Sequence, residues 1–470
     1  MKTFAALSIW LPALASAQIS SFRHVVVIVQ ENRTPDNLFQ GLCVSRAALE
    51  SPCSTTPSAT QYNIQTSNWL DKTSASGVTQ PAPVTLANTY DLSHAHTAFV
   101  AMCDVNPATG ACRNDGAANI ACSGNCPQKP QFRYVDNSSG LLNPYLDMAR
   151  QYGWANYMFQ TNQGPSFPAH QFLFGGTSAP SAADDKAGTF ASENTSGAST
   201  MAGCIAPAGT TVEVISANGG ESQKIYPCFE HQTIADLLPA SISWRYYAPS
   251  AGSIWTAPNA ISHICQSTGP GGKCIGEDWT QNVDLTPVDI LRDIAACQLR
   301  NVSWVIPTGA NSDHAMSNDG GGPSWAASIV NAIGNNTACD GNGYWENTAI
   351  LVTWDDWGGW YDHEPPMILA QTQGDYQFGF RVPLIVISAY TPERYINNVR
   401  HDFGSILRFI EFNFNLPLGG LNFADARAAS DLTDFFDLNQ RPRNFQTIDA
   451  PKHADFFLHD RRKPTDPDDQ

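Results

Sequence analysis

TAILVTWDDWGGWYDHEPP, Thr348 to Pro366, is the stretch whose reading decides the fold. Ala349 to Val352 form an unbroken apolar and β-branched run, the pattern of a strand buried on both faces. The run stops at two adjacent carboxylates, Asp355 and Asp356, followed by a Gly358-Gly359 turn. In open α/β sheets ligands bind beyond the carboxyl ends of the strands, so acids placed there stand where chemistry is done. Asp362 and His363 return a second acid and an imidazole to the same neighbourhood, and Pro365-Pro366 stiffen the exit. Carboxylates with imidazole suit a divalent metal, proton transfer, or both. A solvated acidic turn after a core strand is the plainer alternative.

The same arrangement recurs on either side. HVVVIV, His24 to Val29, reads as a buried strand, and Gln30, Glu31 and Asn32 follow it directly. NVSWVIPTG, Asn301 to Gly309, reads as another, with Asp313 and His314 just beyond. SISWRYYA and Arg381 to Tyr390 supply two more strands. Helical spacing is expected in Leu141–Met148, Leu285–Leu299, Ser324–Gly334 and Asp402–Phe414, with Tyr152-Gly153 as a stop after the first. In YDLSHAHTAF, Tyr90 to Phe99, His94 and His96 share a face on a strand but not on a helix. In TNQGPSFPAHQ, Gly164-Pro165 forces a tight turn, Ser166 follows it, and Pro168 suits the first turn of a helix. A serine there either caps the helix or presents its hydroxyl to an anion held at the helix N-terminus.

Residues 1–17, MKTFAALSIWLPALASA, have one positive charge, an apolar middle and a small-residue ending, the features of a secretory signal peptide cut before Gln18. Twelve cysteines in an exported chain point to disulfides. Close spacing suggests Cys43 with Cys53, Cys204 with Cys228, and Cys265 with Cys274. Cys103, Cys112, Cys122 and Cys126 form a cross-linked loop, leaving Cys297 with Cys339. Zinc at Cys122 and Cys126 is the alternative use of that pair. A formal charge of −17 repels nucleic acid and anionic membrane, so neither is expected as a standing partner, and it fits an acidic working medium. No later stretch is apolar for long enough to span a bilayer, so no stable membrane insertion is expected. Glycan acceptor motifs stand at Asn32, Asn137, Asn194, Asn301 and Asn335, of which Asn32 is excluded by its place in the Glu31-Asn32 pair at a strand end. Residues 18–457 read as one domain, with insertions at about 43–90, 103–128 and 178–230, and 458–470 as a charged, disordered tail.

The segments HVVVIVQENRTPDNLFQG, YDLSH, NQGPSFPAHQ, VSWVIP with SDH, WDDWGGWYDHEPP, and GFRVPLIVISAY with SILRFIE run in one order along the chain. Together they resemble the phosphoesterase family that contains bacterial phosphatidylcholine-type phospholipases C, plant non-specific phospholipases C and secreted acid phosphatases. The resemblance implies an alkaline phosphatase-like α/β fold, a mostly parallel sheet between helices. It implies Ser166 as nucleophile, Glu31 and Asn32 as the Glu-Asn pair of the site, and Asn32, Asp355 and Asp356 as ligands of a divalent metal (Ca, Mg, Mn, Fe or Zn). It also implies His94 and His314 as histidines that bind phosphate or protonate the leaving group. His363, in the matching YDH segment, and His96 are assigned to substrate binding. The substrate expected is a small phosphoester or a phospholipid. Many of these phospholipases have Thr-x-Pro-Asn-Arg after the Gly-Pro, whereas this chain has Ser166-Phe167-Pro168-Ala169-His170, nearer to the acid phosphatase branch. A sulfatase on the same scaffold, which would need an Arg in that motif, and a non-catalytic secreted binding protein are the competing readings.

Overall fold

A computed structural model describes residues 22–44, 52–366, 376, 378–417 and 419–465. The signal-peptide reading of residues 1–17 lies outside them. Eight strands form the main sheet: β1 (His24–Gln30), β2 (Gly153–Phe159), β3 (Trp244–Tyr247), β4 (Val283–Asp284), β5 (Val302–Val305), β6 (Thr348–Trp354), β7 (Leu384–Ile387) and β8 (Tyr395–Asp402). Their spatial order is β4-β3-β5-β1-β6-β7-β2-β8. β1 pairs in parallel with both β5 and β6, β3 with β4 and β5, and β8 with β2, whereas β7 runs antiparallel to both of its neighbours. This is the mostly parallel sheet expected, with one reversed strand.

Every residue of β1 and β6 is buried, which explains their near-continuous apolar runs, because helices cover both faces of a parallel sheet. Helix α1 (His96–Cys103) packs in a separate apolar cluster with Trp357 and Phe380, while the covering helices include α2 (Asn143–Gln151), α3 (Ser166–Gly175), α4 (Asp289–Ala295), α5 (Gly322–Gly334) and α6 (Phe403–Asn413). Asp402 caps α6 by accepting hydrogen bonds from Gly404 and Ser405 N–H. The 178–230 insertion folds as a small antiparallel sheet built on Thr210–Ile215.

Three strands of the main sheet, β2, the two-residue β4 and β8, were not visible in the sequence. β2 follows the Tyr152-Gly153 stop directly, and β8 has a polar, mixed-burial pattern because it lies at the sheet edge. Six disulfides join Cys43–Cys53, Cys103–Cys112, Cys122–Cys126, Cys204–Cys228, Cys265–Cys274 and Cys297–Cys339, so the Cys122 and Cys126 thiols are not zinc ligands. The part of the charged tail that is described runs to Thr465. Asp319 pairs with both Arg462 and Lys452, and the Thr465 carbonyl accepts from Gly309 N–H. No helix among the described residues is long and apolar enough to cross a membrane.

Candidate active site

Register builds the site. Pairing runs from His24 opposite Thr348 to Gln30 opposite Trp354, so the next residues of β1 and β6, Glu31-Asn32 and Asp355-Asp356, emerge side by side at the carboxyl edge. Asp355 N–H continues the ladder by donating to the Gln30 carbonyl at 2.9 Å. Asn32 adopts φ 61°, a left-handed turn that asparagine tolerates, and its N–H donates to Asp355 Oδ1 at 3.0 Å. Asp355 Oδ1 also accepts from Asp356 N–H at 2.7 Å. With one oxygen fixed by two backbone donors, the other, Oδ2, is buried with no hydrogen-bond partner among the described residues.

The Gly164-Pro165 turn delivers Ser166 as the first residue of α3, fully buried, and its Oγ donates to Asp356 Oδ2 at 3.3 Å. Asp356 Oδ1 is held by Gly358 N–H at 2.6 Å. Asn194 Oδ1 accepts from Phe167 N–H at 2.9 Å, so a residue read as a sugar acceptor tethers the serine's helix to the 178–230 insertion.

His94 precedes α1. Its Nδ1–H donates to the Leu92 carbonyl at 2.9 Å, and its Nε2 accepts from Asn32 Nδ2 at 3.1 Å. That bond fixes the Asn32 amide through its nitrogen, and Oδ1, like Asp355 Oδ2, lacks a hydrogen-bond partner among the described residues. His314 is buried with its ring centroid 5.9 Å from that of His94, and its Nδ1–H donates to the Ala315 carbonyl at 2.7 Å. The sequence-nominated Glu31, Asn32, His94, Ser166, His314, Asp355 and Asp356 therefore gather in one buried cluster.

His96 and His363 lie elsewhere. His96 opens α1, pairs with Glu221 of the 178–230 insertion, and lines a cavity of about 440 Å³ with Phe99, Val100, Gln163, Ile215 and Phe378. Its N–H donates to Glu193, whose carboxyl burial pushes up to about 7. His363 donates through N–H and Nδ1 to Asp36 Oδ2, at 2.9 and 2.7 Å, and its Nε2 is 2.9 Å from Asn63 Oδ1. The Asp36, Asp362 and His363 group does not call for a metal. Arg381 donates to both oxygens of Asp362 at 2.8 and 2.9 Å, and its guanidinium supplies the positive charge there.

Sequence reasoning missed His170 and Arg33. His170 Nε2 stands 3.2 Å from Glu31 Oε1 and 3.7 Å from Asp355 Oδ2, all three side chains fully buried. Burial pushes its pKa down to about 4, against the opposing pull of Asp355. Its place within an apolar helix carried no periodic signal, and only its position four residues after Ser166 marked it. Arg33 donates through Nε and Nη2 to the Asp313 carbonyl at 2.9 and 2.7 Å and so ties the His314 loop to the end of β1. Asp313 itself accepts from Tyr145 and Trp354 and, buried, is pushed up to about 6. It is a brace for that loop.

A divalent metal fits the cluster. Two buried oxygens without hydrogen-bond partners, Asp355 Oδ2 and Asn32 Oδ1, stand with Glu31 and His170 among donors of the kind such ions take.

Comparison with known proteins places this geometry among relatives. Phospholipase C A of Mycobacterium tuberculosis is 28% identical over 231 residues, which are 44% of this chain and 44% of that protein. A non-hemolytic phospholipase C of Pseudomonas aeruginosa is 24% identical over 255 residues, 47% of this chain and 35% of that one. The chain thus spans under half the length of these curated relatives. A crystal structure of an alkaline phosphatase superfamily protein from Vibrio parahaemolyticus aligns with a TM-score of 0.33 at 13% identity, covering 62% of this chain and 64% of that one. Residues 22–417 match the Phosphoesterase family, and the chain belongs to it.

Proposed function

We propose that this chain is a secreted, metal-dependent phosphoric ester hydrolase that works through a phosphoserine. The observation that carries the reading is the buried Ser166 hydroxyl on Asp356, beside Asp355, Glu31 and Asn32 at adjoining strand ends. Asn32, Asp355 and Asp356 would hold a divalent metal, which supplies positive charge against a phosphoryl oxygen and favours ionisation of a neighbouring hydroxyl. Ser166 Oγ passes its proton to Asp356 Oδ2 and attacks phosphorus in line, and the ester oxygen leaves with its electron pair. With Nδ1–H held by the Ala315 carbonyl, His314 enters the step as the imidazolium and gives its Nε2 proton to that oxygen, becoming neutral. Water then attacks the phosphoserine, His314 takes its proton, and Ser166 is reprotonated as phosphate or phosphomonoester departs. Asn32, turned by His94, and Glu31 keep the carboxylate edge in place throughout.

Six disulfides support export, as does the expected signal peptide. The names of the relatives favour phospholipid or another diester as substrate, whereas the Ser-Phe-Pro-Ala-His motif favours a monoester. The test is hydrolysis of p-nitrophenyl phosphate against p-nitrophenyl phosphorylcholine from acid to neutral pH, with and without chelator. Turnover that chelator abolishes and added metal restores is expected. Full activity after exhaustive chelation removes the metal from the proposal, and turnover of an aryl sulfate alone removes the phosphoester.

A further inference from the structure

We propose that His170 Nε2 is itself a ligand of the metal, and that this nitrogen makes the site one for a borderline transition metal such as zinc or iron rather than calcium or magnesium. The inference rests on the metal-dependent reading above and names the class of ion. A phenol has one proton, and the Tyr246 hydroxyl gives it to the Trp255 carbonyl at 2.8 Å. Its remaining contacts, from Ala257 N–H at 3.5 Å and with His170 Nδ1 at 3.4 Å, are then ones it accepts, which favours the ring proton on Nδ1. The neutral ring therefore turns an unprotonated Nε2 toward Glu31 Oε1 and Asp355 Oδ2, with three acceptors facing one another in a fully buried space.

A proton on Nε2 or a cation held by all three atoms relieves that arrangement, and the proposal is the cation. Metal–ligand bonds of about 2.0–2.2 Å set neighbouring ligand atoms about 3 to 3.5 Å apart, close to the 3.2 and 3.7 Å seen here. Asn32 Oδ1 adds an oxygen whose direction is set by another histidine, His94. Two ligands are thus aimed by partners behind them, Tyr246 for His170 and His94 for Asn32, the arrangement by which outer hydrogen bonds orient metal ligands. Calcium and magnesium take oxygen almost exclusively, while imidazole selects zinc, iron and their neighbours. In many of the phospholipases C that the sequence resembles, the position of His170 holds an arginine, which cannot ligate a metal, so the ion class argued here does not extend to them.

Two measurements test this on the full-length protein. Pulsed EPR of the copper-loaded wild type is expected to show coupling to an imidazole nitrogen that His170→Gln removes. No coupling in the wild type, or the same coupling in a folded His170→Gln, overturns the proposal. Competition binding is expected to show the ratio of zinc to magnesium affinity falling by about tenfold or more in His170→Gln. An unchanged ratio overturns it. Should circular dichroism show that His170→Gln does not fold, Tyr246→Phe, which frees the ring's tautomer, is read by the same ratio with the same two outcomes. Neither readout uses turnover. Protein that binds zinc through His170 and hydrolyses nothing refutes the hydrolase alone, and a hydrolase indifferent to His170 refutes this inference alone.

Discussion

Ser166 and Asp356 were legible as chemistry because each stood at a break in an apolar pattern, the serine after Gly164-Pro165 and the acid after β6. His170 was not, because a histidine surrounded by Phe167, Phe172 and Phe174 in a fully buried helix shows no break of any kind. Ser166→Ala is expected to lower turnover by about a thousandfold or more while circular dichroism and the unfolding midpoint stay put. Turnover within tenfold of wild type removes the nucleophile. Arg381 is the residue on which stability depends most visibly. Buried at the centre of Asp36, Asp362 and the Asn63 and Asn156 carbonyls, it holds Asp362 below the value that burial alone would impose, and Asp362 still rises to about 6. Arg381→Met would leave those acids without their counter-charge, at a cost of about 3–5 kcal/mol read from urea unfolding.

Among the elements, the strand ends were the readable part. β1, β5 and β6 show as apolar runs because helices cover both sheet faces, and the polar residues that end them could then be placed. β2 and β8 escaped because GWANYMF and YINNVRHD mix polar and apolar residues without alternation, the first packed between neighbours and the second at an edge. The Gly358-Gly359 turn carries its own test. Gly358 has φ 61°, and a Cβ there would come 2.5 Å from the Asn32 carbonyl oxygen. Gly358→Ala is expected to cost about 1–3 kcal/mol of stability, and to weaken metal retention with it, because what it displaces is Asn32. A calorimetric melt with metal analysis checks both effects.

The whole molecule carries a pH dependence of defined sign. Burial, aided by Asp425, raises Glu411 to about 9, and burial raises Asp185 and Glu193 to about 7. With folded values above the unfolded value of about 4, these groups favour the folded state when protonated, and that stability is lost as pH rises from about 4 through 9. His401, pushed down to about 3 by burial, acts oppositely and weakens the fold as pH falls below about 6.5. The carboxyls outnumber it, so the urea midpoint is expected to be higher near pH 5 than near pH 9, and Glu411→Gln is expected to flatten the profile. A midpoint that climbs steadily into alkali contradicts this. The single reversed strand, β7, has a consequence of another kind. It lies between β6, which ends at Asp355 and Asp356, and β2, which leads to Ser166, so within the sheet the strands that carry the two halves of the proposed site meet through residues 384–387. A growing polypeptide releases the serine first and this bridge more than two hundred residues later. Until synthesis has passed Ile387, Ser166 and the two acids are not carried on one continuous sheet, and under the proposed function activity is expected only after that point.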